Sequence, residues 1–256
     1  MKTRTVISAI TSIALAGVLC VSFAACSGNK DTAKDVKGDP IKKEVWDAAI
    51  QEDAFENFKL ELDQLDVTER TQAENTIVIK KTTKAMYVYA DQKTHVSGTE
   101  ETKHTGVPED QKDNYKDKSE KKEYYLDESG SEEYGKCISK VDGKWSNIEL
   151  NSGNQFDYLS AKAASTIFIG LMLPSKNFED YEYSEDHMGY ILKATTDNSR
   201  LVVLKFKNGK LRAVYVEDFY EVTRGTGEDS YTEKRTVTEG YLLTFGKQKV
   251  ALPAVK

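Results

Sequence analysis

Three observations predict a mainly β chain with a few helices, an α+β fold built on an antiparallel meander. Apolar and polar residues alternate through most of the sequence after Phe55, Asp142-Gly143 and Asn208-Gly209 fall between alternating runs, and only two segments carry helical spacing. Both dipeptides suit the type I′ turn, whose twist matches that of the flanking strands. Short strands joined by such turns pair with their neighbours in sequence.

The first helical segment opens at Asp39-Pro40, an N-cap candidate followed by proline at the first helical position. Ile41, Val45, Trp46, Ala49 and Ile50 then share one face, and the helix should end near Asp53. Strands follow. Phe58, Leu60 and Leu62 alternate with Lys59 and Glu61, Ile77 and Ile79 flank Val78, and Tyr87 and Tyr89 alternate with Met86 and Val88. Further strands are expected at 123–127, 137–141, 144–150, 190–196, 201–207, 210–222 and 231–245. Ordinary cross-strand pairing accounts for the tyrosine pairs Tyr87/Tyr89 and Tyr181/Tyr183 as readily as a binding groove does.

A second helix is expected from Asn154, with Asp157 three residues on and Phe156, Leu159, Ala163 and Ile167 near one face, until Pro174 stops it. Residues 163–173 carry no charge, and Ile167, Phe168, Ile169, Leu171, Met172 and Leu173 point in every direction. Such a helix must be covered on all sides, and it is too short to span a bilayer. Protein or a bound apolar molecule would supply the cover.

Residues 97–123 are nearly all charged or small and polar, with acids and bases close to balance. They read as a solvated insertion or protruding hairpin, mobile rather than a charged docking arm.

The N-terminus is the most specific signal in the chain. Lys2 and Arg4 precede an uncharged run from Thr5, and Phe23-Ala24-Ala25-Cys26 closes it before the polar Ser27-Gly28-Asn29-Lys30. This is the pattern of a lipoprotein signal rather than a transmembrane helix, because the run is interrupted by small and polar residues and stops in small residues at a cysteine. Leu19 before Cys20 is too large for that alternative cut. The expected organisation is a signal at 1–25, lipidated Cys26 and a flexible tether at 26–39, and one domain at 40–256 with its polar insertion at 97–123. Two acyl chains on one thiol suffice for stable anchoring, at about 0.8 kcal/mol per buried CH₂. The expected location is the extracytoplasmic face of the cell membrane, with the membrane itself as a partner.

Loss of the signal removes Lys2 and Arg4 and no acid, taking the formal charge from −6 to −8. An acidic surface argues against nucleic acid as partner. With Cys26 acylated, Cys137 has no disulfide partner and reads as a packed residue rather than a reactive thiol. No GxSxG, P-loop, HExxH or CxxC occurs, and Arg224-Gly225-Thr226-Gly227 reads as a hairpin loop, not a phosphate cradle. His95, His104 and His187 lack metal-ligand spacing. The expectation is therefore no enzyme, no cofactor and no metal.

The order of parts (lipidated cysteine, tether, Pro-led helix with Trp46, long meander, apolar helix and the closing run from Tyr241-Leu242-Leu243-Thr244-Phe245 to Leu252-Pro253) resembles bacterial lipoproteins of the LolA/LppX-like half-barrel group. Glu44-Val45-Trp46-Asp47-Ala48-Ala49 and Glu56-Asn57-Phe58 are similar to the opening of Gram-positive lipoproteins of this type. The resemblance implies a strongly curved antiparallel sheet, a half-barrel, wrapped around the apolar helix and holding a lipid or other hydrophobic ligand. Ile167, Phe168, Leu171 and Met172, with Trp46 and Tyr87, would line the site. The competing expectation is a surface lipoprotein with a filled core that acts through an envelope protein partner, with residues 97–123 as the contact.

Overall fold

The computed structural model describes residues 32–130, 136–141, 143–148, 173–193, 199–227 and 230–255. One helix, α1 (Lys43–Ala49), precedes eleven strands: β1 (Asn57–Gln72), β2 (Asn75–Ala90), β3 (Lys93–Thr105), β4 (Lys118–Asp127), β5 (Lys136–Val141), β6 (Lys144–Ile148), β7 (Tyr181–Ser184), β8 (Gly189–Leu192), β9 (Arg200–Lys207), β10 (Lys210–Arg224) and β11 (Tyr231–Phe245). They form one antiparallel sheet in the order β6-β5-β4-β3-β2-β1-β11-β10-β9-β8-β7. The first and last strands lie side by side at its centre.

This sheet is neither closed nor strongly curved, which overturns the expected half-barrel wrapped around an apolar helix. The register explains why. β1 pairs with β2 from Asn57/Ala90 to Gln72/Asn75, and with β11 from Phe58/Phe245 to Thr71/Thr232, without interruption. Bulges are the usual means of bending a sheet, and the single shift in the β9–β10 ladder, at Leu211/Ala213, lies off that central axis.

The core lies over one end of the strands. Side chains of alternate residues, Phe58 and Leu60 on β1, Leu243 on β11, Val214 and Val216 on β10, and Val202, Leu204 and Phe206 on β9, form one cluster with Trp46, Ala49 and Ile50 of α1 and its C-cap. We call this the helix face. Trp46 is 0% exposed, with Phe178, Tyr181, Tyr190 and Phe206 at ring-centroid distances of 4.9 to 5.5 Å, and its indole N–H donates to the Lys176 carbonyl at 2.9 Å. Burial pushes the Tyr181 phenol up to about 12.

The opposite face is covered in one place, by residues 32–39. Ala33 and Val36 pack on Ala213 and Leu242, and a Cβ on Gly240 would stand 3.1 Å from that of Ala33, so glycine admits the close approach. Lys205, buried on this strap face, donates its ammonium to the Lys34 carbonyl; burial lowers its pKa, and Asp35 opposes the shift. The strap then crosses to the helix face. Gly38 and Asp39 donate to the carbonyls of Met188 and Phe206 at 2.9 and 2.7 Å, and Tyr183 and Tyr190 donate their hydroxyls to Gly38 and Ile41.

Two expectations change here. Residues 32–39 belong to the folded unit rather than to a tether, because Ala33 and Val36 find an apolar seat. Asp39-Pro40 does not cap α1, since Asp39 is bonded to β9; the helix starts at Lys43, and a separate 3₁₀ turn, Glu52–Phe55, follows it.

Candidate interaction surface

Beyond the core the five longest strands run on as a single layer. Val202 to Phe206 of β9 are buried at every position, as are Ala213 to Val216 of β10, so both faces are covered there. Along β1 the pattern differs: residues 66–70 are half-buried on both parities, and β2 residues 77–83 likewise. A face packed against another layer would bury alternate residues, so among the described residues neither face of this outer half carries a full second layer; Tyr115 of the β3–β4 loop reaches the Arg70 guanidinium, and Glu233 is buried near it.

Charge and hydroxyl ladders replace the core. On the helix face the Arg235 guanidinium holds Asp66 in a bidentate pair, Nε to Oδ1 at 2.8 Å and Nη2 to Oδ2 at 2.6 Å, and donates to the Tyr220 hydroxyl at 3.2 Å. Glu233, 5% exposed, accepts from Arg70 at 3.0 Å and from Arg224 at 3.4 Å, while Arg70 lies 6.0 Å from the Tyr231 ring centroid. Gln64 and the Tyr241 hydroxyl both donate to the Glu239 carboxylate at 2.7 Å, and Lys81 meets Glu100 at 3.1 Å. Burial first, with Glu239 adding to it, raises the Tyr241 pKa. The strap face carries Asp63, with one carboxylate oxygen buried and without a hydrogen-bond partner among the described residues; burial raises its pKa and Lys84 opposes the shift.

Residues 97–123 are part of this layer. Its first stretch continues β3 to Thr105, a 3₁₀ turn spans Glu109–Asn114, and β4 resumes at Lys118, every residue from Lys118 to Asp127 pairing with β3. The segment is polar because both of its faces meet solvent, so the expected mobile insertion is a hairpin of the sheet. At its tip the His104 N–H donates to Asp117 at 2.9 Å and the His104 ring meets Tyr115 edge-on at 5.5 Å.

The expected ligand-lining residues divide. Ile167, Phe168, Leu171 and Met172 lie outside the described residues, as does Cys26; of the uncharged run only Leu173 is described, buried in the main core. Trp46 is enclosed by protein rings. Tyr87 is half-buried and packs against both the main core and a smaller cluster of Val96, Tyr124 and Leu126, and burial raises its pKa. Cys137 is buried. Among the described residues no three metal-ligating side chains converge, and no helix is long and apolar enough to cross a membrane.

Sequence reasoning missed the outer half as a surface. The available signal was the length of the alternating-charge runs, such as Lys80-Lys81-Thr82-Thr83-Lys84 opposite Lys93–Thr105, in which threonine and paired charges recur on both parities.

Comparisons with known proteins leave the surface as the main guide. No family model matches the chain, and no curated protein matches it. Among solved structures, the crystal structure of Neisserial surface protein A aligns over 72% of this chain and 96% of its own, at 5% identity and a TM-score of 0.24. A similarity of that size carries no inference, and nothing in the comparisons supports a LolA/LppX-like half-barrel or the lipid binding expected from one.

Proposed function

We propose that this chain is a membrane-anchored extracytoplasmic lipoprotein that works through a protein partner, using the outer half of its sheet as the contact surface. The observation that carries the reading is the half-burial of β1 and β2 on both parities beyond the core, which leaves parts of two faces accessible to another molecule. The Ala-Ala-Cys26 signal supports the anchor. The full burial of Trp46 among four rings supports action through the surface rather than through a bound apolar guest.

Two measurements test this. Palmitate labelling of the chain in cells should be lost in Cys26→Ser, with the protein released from the membrane fraction. Photo-crosslinking residues at positions 110 and 223, in the outer half, should yield adducts with another protein, and position 43 on α1 should not. Adducts at position 43 alone, or at none of the three, would remove the reading.

A further inference from the structure

The outer half has two open flanks, and they differ in chemistry. β5 pairs with β4 only from Tyr124 to Asp127, with the Ser139 hydroxyl reaching the Glu123 carbonyl at 3.5 Å, so 118–122 have no paired strand on that side among the described residues. β9 pairs with β10 only as far as Arg200/Asp218, so 220–224 have no paired strand on the other side among the described residues, and Tyr220, Glu221, Thr223 and Arg224 are exposed. The β4 flank reads Lys-Ser-Glu-Lys-Lys, a charged edge of the kind that discourages strand pairing. The β10 flank reads Tyr-Glu-Val-Thr-Arg and begins beside Phe219. Phe219 and Tyr220, 46% and 36% exposed, are the large apolar side chains that stand out to solvent among the described residues, and they project from opposite faces of this one strand.

Backbone direction completes the picture. The Phe219 N–H donates to the Ser199 carbonyl at 2.8 Å, so this residue points away from β11. With a period of two, Glu221 and Thr223 point the same way, while Tyr220, Val222 and Arg224 pair with β11 opposite Arg235, Glu233 and Tyr231. The outward N–H and C=O groups of Glu221 and Thr223 therefore form a template for one more strand.

We propose that residues 220–224 of β10 are a strand-addition site for an extended segment of a partner protein. This rests on the reading of the chain as a partner-binding lipoprotein and gives that partner a shape. The added strand bonds to Glu221 and Thr223, one of its faces packs on Tyr220 and Val222, and the other packs on Phe219. An edge of five residues, about 17 Å long, suits an extended peptide. It offers far less than the roughly 1,200 Å² of buried surface that a standard stable interface needs, which favours such a segment over a second copy of this chain.

The test uses the full-length lipidated chain in detergent micelles and a phage-displayed library of random nine-residue peptides. Selected peptides should alternate apolar residues, and their affinity should fall at least tenfold in Thr223→Pro, which removes an outward donor and leaves the β11 ladder intact. Lys121→Pro, the matching change on the β4 flank, should shift affinity less than twofold. Phe219→Ser, an exposed position, should weaken binding several-fold even if the proline variant folds poorly.

Failure to select any peptide, equal binding to wild type and Phe219→Ser, or sensitivity to Lys121→Pro in place of Thr223→Pro would overturn the proposal. So would a dimer of the free chain in sedimentation velocity that Thr223→Pro dissociates. In cells, partner adducts at position 110 without any at 223 would sink the strand-addition site while leaving the broader reading in place.

Discussion

The two halves of this sheet are held by different forces. At the core end, β9 and β10 are sealed on one face by α1 with its aromatic cluster and on the other by the strap at Ala33 and Val36. At the outer end the same β10, with β1 and β11, has no full second layer among the described residues, and paired charges such as Asp66–Arg235 and Arg70–Glu233–Arg224 hold neighbouring strands together. Apolar burial stabilises the first half at about 25 cal/mol per Å². Surface ion pairs contribute only about 0–1 kcal/mol each, so the second half persists because it continues ladders nucleated in the first. Stability and availability are thereby separated along the strands.

The sharpest way to break the contrast is to hollow out the core end. Trp46→Ala should cost about 3–5 kcal/mol and lower the urea midpoint of the whole molecule, because four rings lose their common neighbour. If the outer half alone melted in that variant, the dependence would run the other way.

A matched pair sharpens it further. Val214→Ala, fully buried between α1 and the sheet, should cost about 2 kcal/mol, whereas Val67→Ala, half-buried on the strap face of the outer half, should cost less than about 1 kcal/mol by chemical denaturation. Equal losses would mean that the outer half is packed as tightly as the core.

Next in size is Glu233→Gln. It leaves Arg70 and Arg224 without their shared carboxylate, and because both guanidinium groups are about half exposed the cost should be about 1–2 kcal/mol, below the range for a fully buried pair. Hydrogen exchange should quicken in 66–71 and 233–238 and stay unchanged in 202–206.

The smallest effect is a gain. Burial raises the Asp63 pKa, so the folded state binds a proton more readily than the unfolded chain, and the ionised carboxylate is a penalty at neutral pH that lifts as pH falls through the raised value. Asp63→Asn should therefore stabilise by up to about 1 kcal/mol at pH 7, and the gain should vanish in acid melts below that pKa. A gain that grew with acidity would place the penalty elsewhere.

Particular residues show how much of this was legible. Asn208 and Gly209, with φ of 53° and 70°, take the left-handed conformations that the dipeptide announces, and β9 and β10 flank them as expected. β11 spans Tyr231–Phe245, the segment that alternation marked. Curvature was not legible, because alternation records which face a side chain takes and says nothing of how far the strand bends. Resemblance in the order of parts filled that gap with a half-barrel, and the straight ladders of β1 contradict it.

The outer strands were hard to see for a physical reason. Where both faces meet solvent, Thr68-Glu69-Arg70-Thr71 and 97–105 lose the apolar half of the period, and polarity alone reads as loop. The strap was missed because two small apolar residues, Ala33 and Val36, suffice to seat it. Of the surface, the exposed Phe219-Tyr220 pair stands in the sequence, but its position on a flank left unpaired among the described residues follows from the β9–β10 register.

The most direct test of a sheet sealed at one end and open at the other is residue-resolved amide exchange on the full-length lipidated chain. Amides of 58–62, 202–206 and 241–243 should exchange only through global unfolding, those of 66–71 and 233–238 through a separate, less costly opening that high salt accelerates, and Glu221 and Thr223 faster than Tyr220 and Val222 beside them. Uniform protection along β1 and β11, indifferent to salt and equal at all four β10 positions, would contradict the account.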